Sequence, residues 1–112
     1  MLLWYYNIEV ICLKLFLLED DNAIATGLCY SLENEGYEVV LSQNVKTALD
    51  IINKENFDLY ILDLTLPDGS GYDVCKEIKK LGDLPVIFLT AYDDEVNVVM
   101  GFEFGADDYI TK

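Results

Sequence analysis

Short apolar runs rich in β-formers alternate along this chain with amphipathic helical segments, and that alternation constrains the fold more than any other feature. The runs are Leu15–Leu18, Tyr37–Leu41, Leu59–Leu62, Val86–Leu89 and Tyr109–Thr111. The first, third and fourth are almost continuously apolar, as a strand covered on both faces must be. Between the first and second runs, Ile24, Leu28 and Leu32 recur every four residues and Gly36 supplies a stop. Next, Val45, Ala48, Leu49 and Ile52 follow an Asn44 cap at i, i+3, i+4 and i+7. A third helical segment places Val74, Ile78 and Leu81 on one face and closes at Gly82. A fourth opens on acids, which the helix dipole favours, and carries Val96, Val99 and Met100. The order β-α-β-α-β-α-β-α-β predicts an α/β fold with a doubly wound, five-stranded parallel sheet. In such sheets ligands bind beyond the carboxyl ends of the strands, at the point where strand order reverses.

The bulk properties narrow the function classes. A length of 112 residues suits one domain. Hydrophobic content of 53% excludes a disordered tail. Seven Lys and no Arg against 21 acids give a net charge of −14, which a nucleic-acid backbone would repel. Metal cations and basic protein surfaces are the fitting counter-charges. The chain has no His, hence no imidazole base, nucleophile or metal ligand. Cys12, Cys29 and Cys75 are widely spaced and odd in number, which argues against a zinc site or disulfides and fits a reducing cytoplasm. The apolar N-terminus, interrupted by Glu9 and Lys14, lacks the basic region and cleavage site of a signal peptide. It is also too charged for a transmembrane helix, so no membrane contact is expected. Residues 1–12 are read as an extension and 13–112 as the domain.

The strand ends carry the chemistry. The first strand ends in Glu19, Asp20 and Asp21, the third in Asp63, the fourth in Thr90 and the fifth in Lys112. The second ends at Ser42 with nothing notable. Taken singly, each has a structural reading: the acids and Thr90 as helix caps, Asp63 as a turn residue, Lys112 as a surface lysine. Independent caps have no reason to gather carboxylates, a hydroxyl and an ammonium on one rim. Clustered carboxylates favour a hard divalent cation, and Mg²⁺ keeping several waters fits so few acids. A carboxylate can also attack a phosphoryl group and form an aspartyl phosphate. Thr and Lys can then hold the phosphate oxygens.

At these residues the chain resembles the receiver domain of bacterial two-component response regulators. The segments that carry the resemblance are LFLLEDD, LYILDLTLPDGSG, PVIFLTAYDDE and GADDYITK, in order, across residues 14–112. The resemblance implies a flavodoxin-like strand order of 2-1-3-4-5. It implies that Asp63 is the phosphoacceptor and that Glu19, Asp20, Asp63 and the backbone carbonyl of Thr65 bind Mg²⁺. Thr90 and Lys112 would contact the phosphoryl group, with Thr90 and Tyr109 as the switch pair. Asp21 would be a first-turn helix acid. The phosphodonor would be a sensor histidine kinase, which supplies the His this chain lacks. Phosphorylation would reshape the face built from the fourth helix and fifth strand and so control output; the resemblance of GADDYITK to receivers that precede a winged-helix DNA-binding domain implies that this output is transcription.

The chain departs from the family pattern by stopping at Lys112, so the fifth helix is expected to be missing. The extension could cover the exposed sheet face in cis or by exchange in a homodimer. DNA contact would come only through an absent output domain; a stand-alone receiver acting on a protein partner is the alternative. An aspartyl-nucleophile phosphatase would want a second Asp two residues after Asp63, where Thr65 stands. A flavodoxin-type module would want a hydroxyl-rich loop in place of the acidic EDDNA, which would repel an FMN phosphate.

Overall fold

Four consecutive apolar residues precede Glu19, and all four are buried in β1 (Lys14–Leu18). A computed structural model describes residues 12–90 and 107–111. The next elements are α1 (Asn22–Asn34), β2 (Glu38–Ser42), α2 (Val45–Lys54) and β3 (Leu59–Asp63). A small antiparallel hairpin follows, β4 (Thr65–Leu66) and β5 (Gly69–Ser70). Then come α3 (Gly71–Leu81), β6 (Val86–Thr90) and β7 (Asp108–Thr111). Five strands form one parallel sheet in the order β2-β1-β3-β6-β7. With the hairpin set aside this is the expected 2-1-3-4-5 order. β1 is flanked by β2 and β3, so the order reverses beside it and its carboxyl end faces the switch-point crevice.

Alternate residues of the central strands serve two cores. Phe16, Leu18, Tyr60, Leu62, Val86 and Phe88 face α2 and α3. Leu17, Ile61 and Leu89 face the other way, against Leu28 and Leu32 of α1. Phe16, Phe57 and Tyr60 form a ring cluster with centroids 5.2, 6.0 and 5.5 Å apart. Each such buried ring contributes roughly 1.5–3 kcal/mol.

The helix ends follow their sequence signals closely. Asn44 caps α2 by accepting from the Thr47 N–H at 2.8 Å. Gly36 has φ +95° just past α1, where its N–H and that of Tyr37 donate to the carbonyls of Glu33 and Leu32. That pair of bonds is a Schellman motif, and only glycine enters its left-handed position without strain. Two expectations are corrected. Leu81 does not line the buried face of α3; it is 48% exposed in the last turn, and Cys75 completes the stripe with Val74 and Ile78. The hairpin was not expected, because two-residue strands carry no periodicity. The fourth helical segment, with Val96, Val99 and Met100, lies outside the described residues, as do residues 1–11 and Lys112. Among the described residues no helix is long and apolar enough to cross a membrane.

Two carboxylates tie loops to neighbouring elements. Asp68 accepts from the Val45 and Lys46 backbone N–H groups at 2.7 and 3.1 Å, which latches the hairpin loop onto the start of α2. Asp107 accepts from the Val86 N–H at 2.8 Å and from the Lys79 ammonium at 3.1 Å. The Val45 and Lys46 amides hold the Asp68 carboxyl below the usual range, and the Val86 amide chiefly does the same for Asp107. Both are depressed in the folded state, so their stabilisation is complete above the ordinary carboxylate pKa and is lost as pH falls through the folded values. Thermal unfolding followed by circular dichroism should therefore show a midpoint that drops below about pH 4. In the Asp68→Asn/Asp107→Asn variant that drop should be shallower; an unchanged slope would show that neither carboxylate contributes.

Candidate functional site

The acids after β1 separate into distinct environments. Glu19 is fully buried, and its backbone N–H donates to the Ser42 carbonyl at 3.0 Å. Its Oε2 accepts from the Asp21 N–H at 3.3 Å. Asp20 is exposed. Gln43 Nε2 donates to the Asp20 carbonyl at 3.4 Å and to Asn22 Oδ1 at 2.6 Å, bracing the turn. Asp21 is the N-cap of α1, its Oδ1 accepting from the Ile24 N–H at 3.0 Å. It therefore stands just before the first turn, not within it, because its extended backbone turns the carboxylate back onto the free amides.

Leu18 is in register with Leu62, so the residues after them, Glu19 and Asp63, emerge level at the sheet's carboxyl edge. Asp63 is 4% exposed, and its Oδ1 accepts from the Leu64 N–H at 2.8 Å. One carboxylate oxygen from each of Glu19, Asp20 and Asp63 lies within 4.8 Å of the others. This donor set is all oxygen and all anionic. It suits a hard divalent cation, and the exposure of Asp20 leaves a side open for the waters such an ion keeps.

The backbone beneath Asp63 is held from α3. The Gly71 N–H donates to the Leu64 carbonyl at 3.0 Å. A Cβ on Gly71 would lie 2.0 Å from the Asp63 carbonyl oxygen, so this close approach admits glycine alone. Ser70 caps α3, its Oγ accepting from the Tyr72 N–H at 3.1 Å. Thr65, two residues past Asp63, opens the hairpin with an exposed side chain. Thr90 ends β6 one residue beyond Leu89, the register partner of Asp63, and is 4% exposed. Tyr109 packs on Phe88, and its hydroxyl is buried rather than in water.

The model of the response regulator receiver domain matches residues 15–112. The chain belongs to the response regulator receiver domain family. This receiver is similar to a Chloroflexus aurantiacus protein assigned as a response regulator, at 36% identity and TM-score 0.86 over 91% of this chain and 86% of that one. It is similar to a CheY-like receiver domain protein from Methanospirillum hungatei, at 33% identity and TM-score 0.84 over 91% and 82% of the two chains. The beryllofluoride-activated N-terminal receiver domain of Klebsiella pneumoniae RstA matches at 31% identity and TM-score 0.82 over 88% and 85%.

Sequence reading brings Glu19, Asp20 and Asp63 together in this receiver, and Thr90 joins their rim; Lys112 lies outside the described residues. It missed the residues that hold them. Ser42 was passed over, yet its carbonyl fixes Glu19. Gln43, Asp68 and Gly71 were also not singled out. The available signal for Gly71 and Asp68 was the DGSG turn so soon after Asp63, which must return the chain beneath the strand end.

Proposed function

We propose that this receiver is a phosphoacceptor switch in two-component signalling, with Asp63 as the phosphorylated residue. The observation that carries the reading is the trio Glu19, Asp20 and Asp63, gathered at the switch point of a receiver fold. An Asp63 carboxylate oxygen attacks phosphorus as the bond to the donor breaks, giving an aspartyl phosphate. The donor is the phosphohistidine of a sensor histidine kinase or a small acyl phosphate. Glu19, Asp20, Asp63 and the Thr65 carbonyl would hold Mg²⁺, which would neutralise charge between the acids and the incoming phosphate. The Thr90 hydroxyl and the Lys112 ammonium contact the phosphoryl oxygens. Thr90 moving toward the phosphate, with Tyr109 held in its inward position behind it, then alters the β7 face.

Residues 13–112 constitute the switch domain, with 1–12 as an extension. It is regulatory, catalysing only its own phosphorylation and dephosphorylation. Its setting is the bacterial cytoplasm, and its output is transcription through a separate DNA-binding domain. Its own surface, at net charge −14, does not contact DNA. Beryllofluoride, which activates the similar Klebsiella receiver, is the natural probe. Calorimetric titration should show beryllofluoride binding that requires Mg²⁺ in the wild type. Glu19→Gln/Asp20→Asn should weaken Mg²⁺ by about a hundredfold, since two charges facing a divalent ion are removed. Undiminished Mg²⁺ affinity in that variant would refute the assignment.

A further inference from the structure

A run of contacts leads from the backbone beneath Asp63 to the edge strand. The Gly71 backbone lies so close under the Asp63 carbonyl that a Cβ there would come within 2.0 Å of its oxygen, so a displaced Asp63 backbone would press on the first turn of α3. Tyr72 follows Gly71 directly. Its ring meets Phe88 edge-on, with centroids 5.1 Å apart and planes at 77°. Phe88 is fully buried and touches the Tyr109 ring at 5.6 Å with a 40° tilt. Phe88 and Tyr109 are register partners in β6 and β7, so they stand side by side on one sheet face.

We propose that Tyr72 is a positioning residue for Tyr109: with Phe88 it forms the aromatic dock that holds Tyr109 inward, and it ties that dock to the Asp63 segment. The proposal rests on the reading of Tyr109 as the switch residue. Edge-to-face and tilted ring pairs have preferred geometries, so Phe88, fixed between two rings, cannot reorient independently of either. Close packing passes a shift of the α3 first turn to Phe88 instead of absorbing it. Tyr109 alternates between an inward and an outward position, and the Tyr72 ring biases that equilibrium inward.

Fluorine NMR of the full chain carrying 3-fluorotyrosine tests this, with the Tyr109 signal assigned from Tyr109→Phe. Without ligand, Tyr72→Leu should move that signal toward the solvent-exposed value. Beryllofluoride affinity in Mg²⁺ should fall about fivefold, the worth of one aromatic pair. Tyr72→Phe, which keeps the ring, should retain both wild-type values. An unmoved Tyr109 signal in folded Tyr72→Leu, or in Tyr72→Met should the leucine variant not fold, would overturn the proposal. Failure of the wild type to bind beryllofluoride would sink the phosphoacceptor reading instead, while the ligand-free signal would still decide the role of Tyr72.

Discussion

Gly71→Ala should be the most damaging glycine-to-alanine change among the described residues of this receiver. The added Cβ would sit 2.0 Å from the Asp63 carbonyl oxygen and 3.0 Å from its carbonyl carbon, both backbone atoms with no rotamer to yield. Something must shift, and the candidates are the end of β3 or the first turn of α3. Overpacking of this kind costs about 3 kcal/mol. For a domain of this size that lowers the melting midpoint by roughly 15 °C. Beryllofluoride binding should fall with it, because the strand end that aims Asp63 is the part displaced. Alanine is otherwise the better helix former, so a neutral or stabilising result would mean that the close approach exerts no constraint.

Asp63→Asn should act in the opposite direction on stability while abolishing phosphorylation. Asparagine has the shape of aspartate, and its amide oxygen can still accept from the Leu64 N–H that Asp63 Oδ1 now engages at 2.8 Å. What disappears is one of three negative charges whose oxygens lie within 4.8 Å. In the absence of Mg²⁺, relief of that repulsion should raise stability by about 1 kcal/mol. Added Mg²⁺ should then stabilise the variant less than the wild type, since part of the ion's charge complement has gone. Differential scanning calorimetry with and without Mg²⁺ reads both effects. A destabilised Asp63→Asn without metal would show that Asp63 serves the fold more than it strains it.

The contrast between what could and could not be read from the sequence has a physical origin. β1 and β3 announce themselves as apolar runs, and a parallel sheet aligns their carboxyl ends whatever lies between. Glu19 and Asp63 could therefore be brought together from their places at the ends of runs. The supporting contacts depend on loops whose partners are set by packing. Asp68 bonds to Val45 and Lys46, more than twenty residues earlier, and no local pattern links a turn aspartate to that helix start. Ser42 acts through its carbonyl, which every residue has. Gly71 is needed for a distance of approach, with no positive φ to mark it. Leu81 continues the helical periodicity into the last turn of α3, but burial there stops at Ile78 and leaves it 48% exposed.

Acetyl phosphate with Mg²⁺, followed by intact-mass and peptide-mapping mass spectrometry, tests the central claim most directly. One phosphoryl group should appear on the wild type, map to the peptide carrying Asp63, and be released by hydroxylamine as acyl phosphates are. It should be absent without Mg²⁺ and absent in Asp63→Asn. A phosphoryl group that persists in folded Asp63→Asn, or that maps to any other residue of the wild type, would contradict the account.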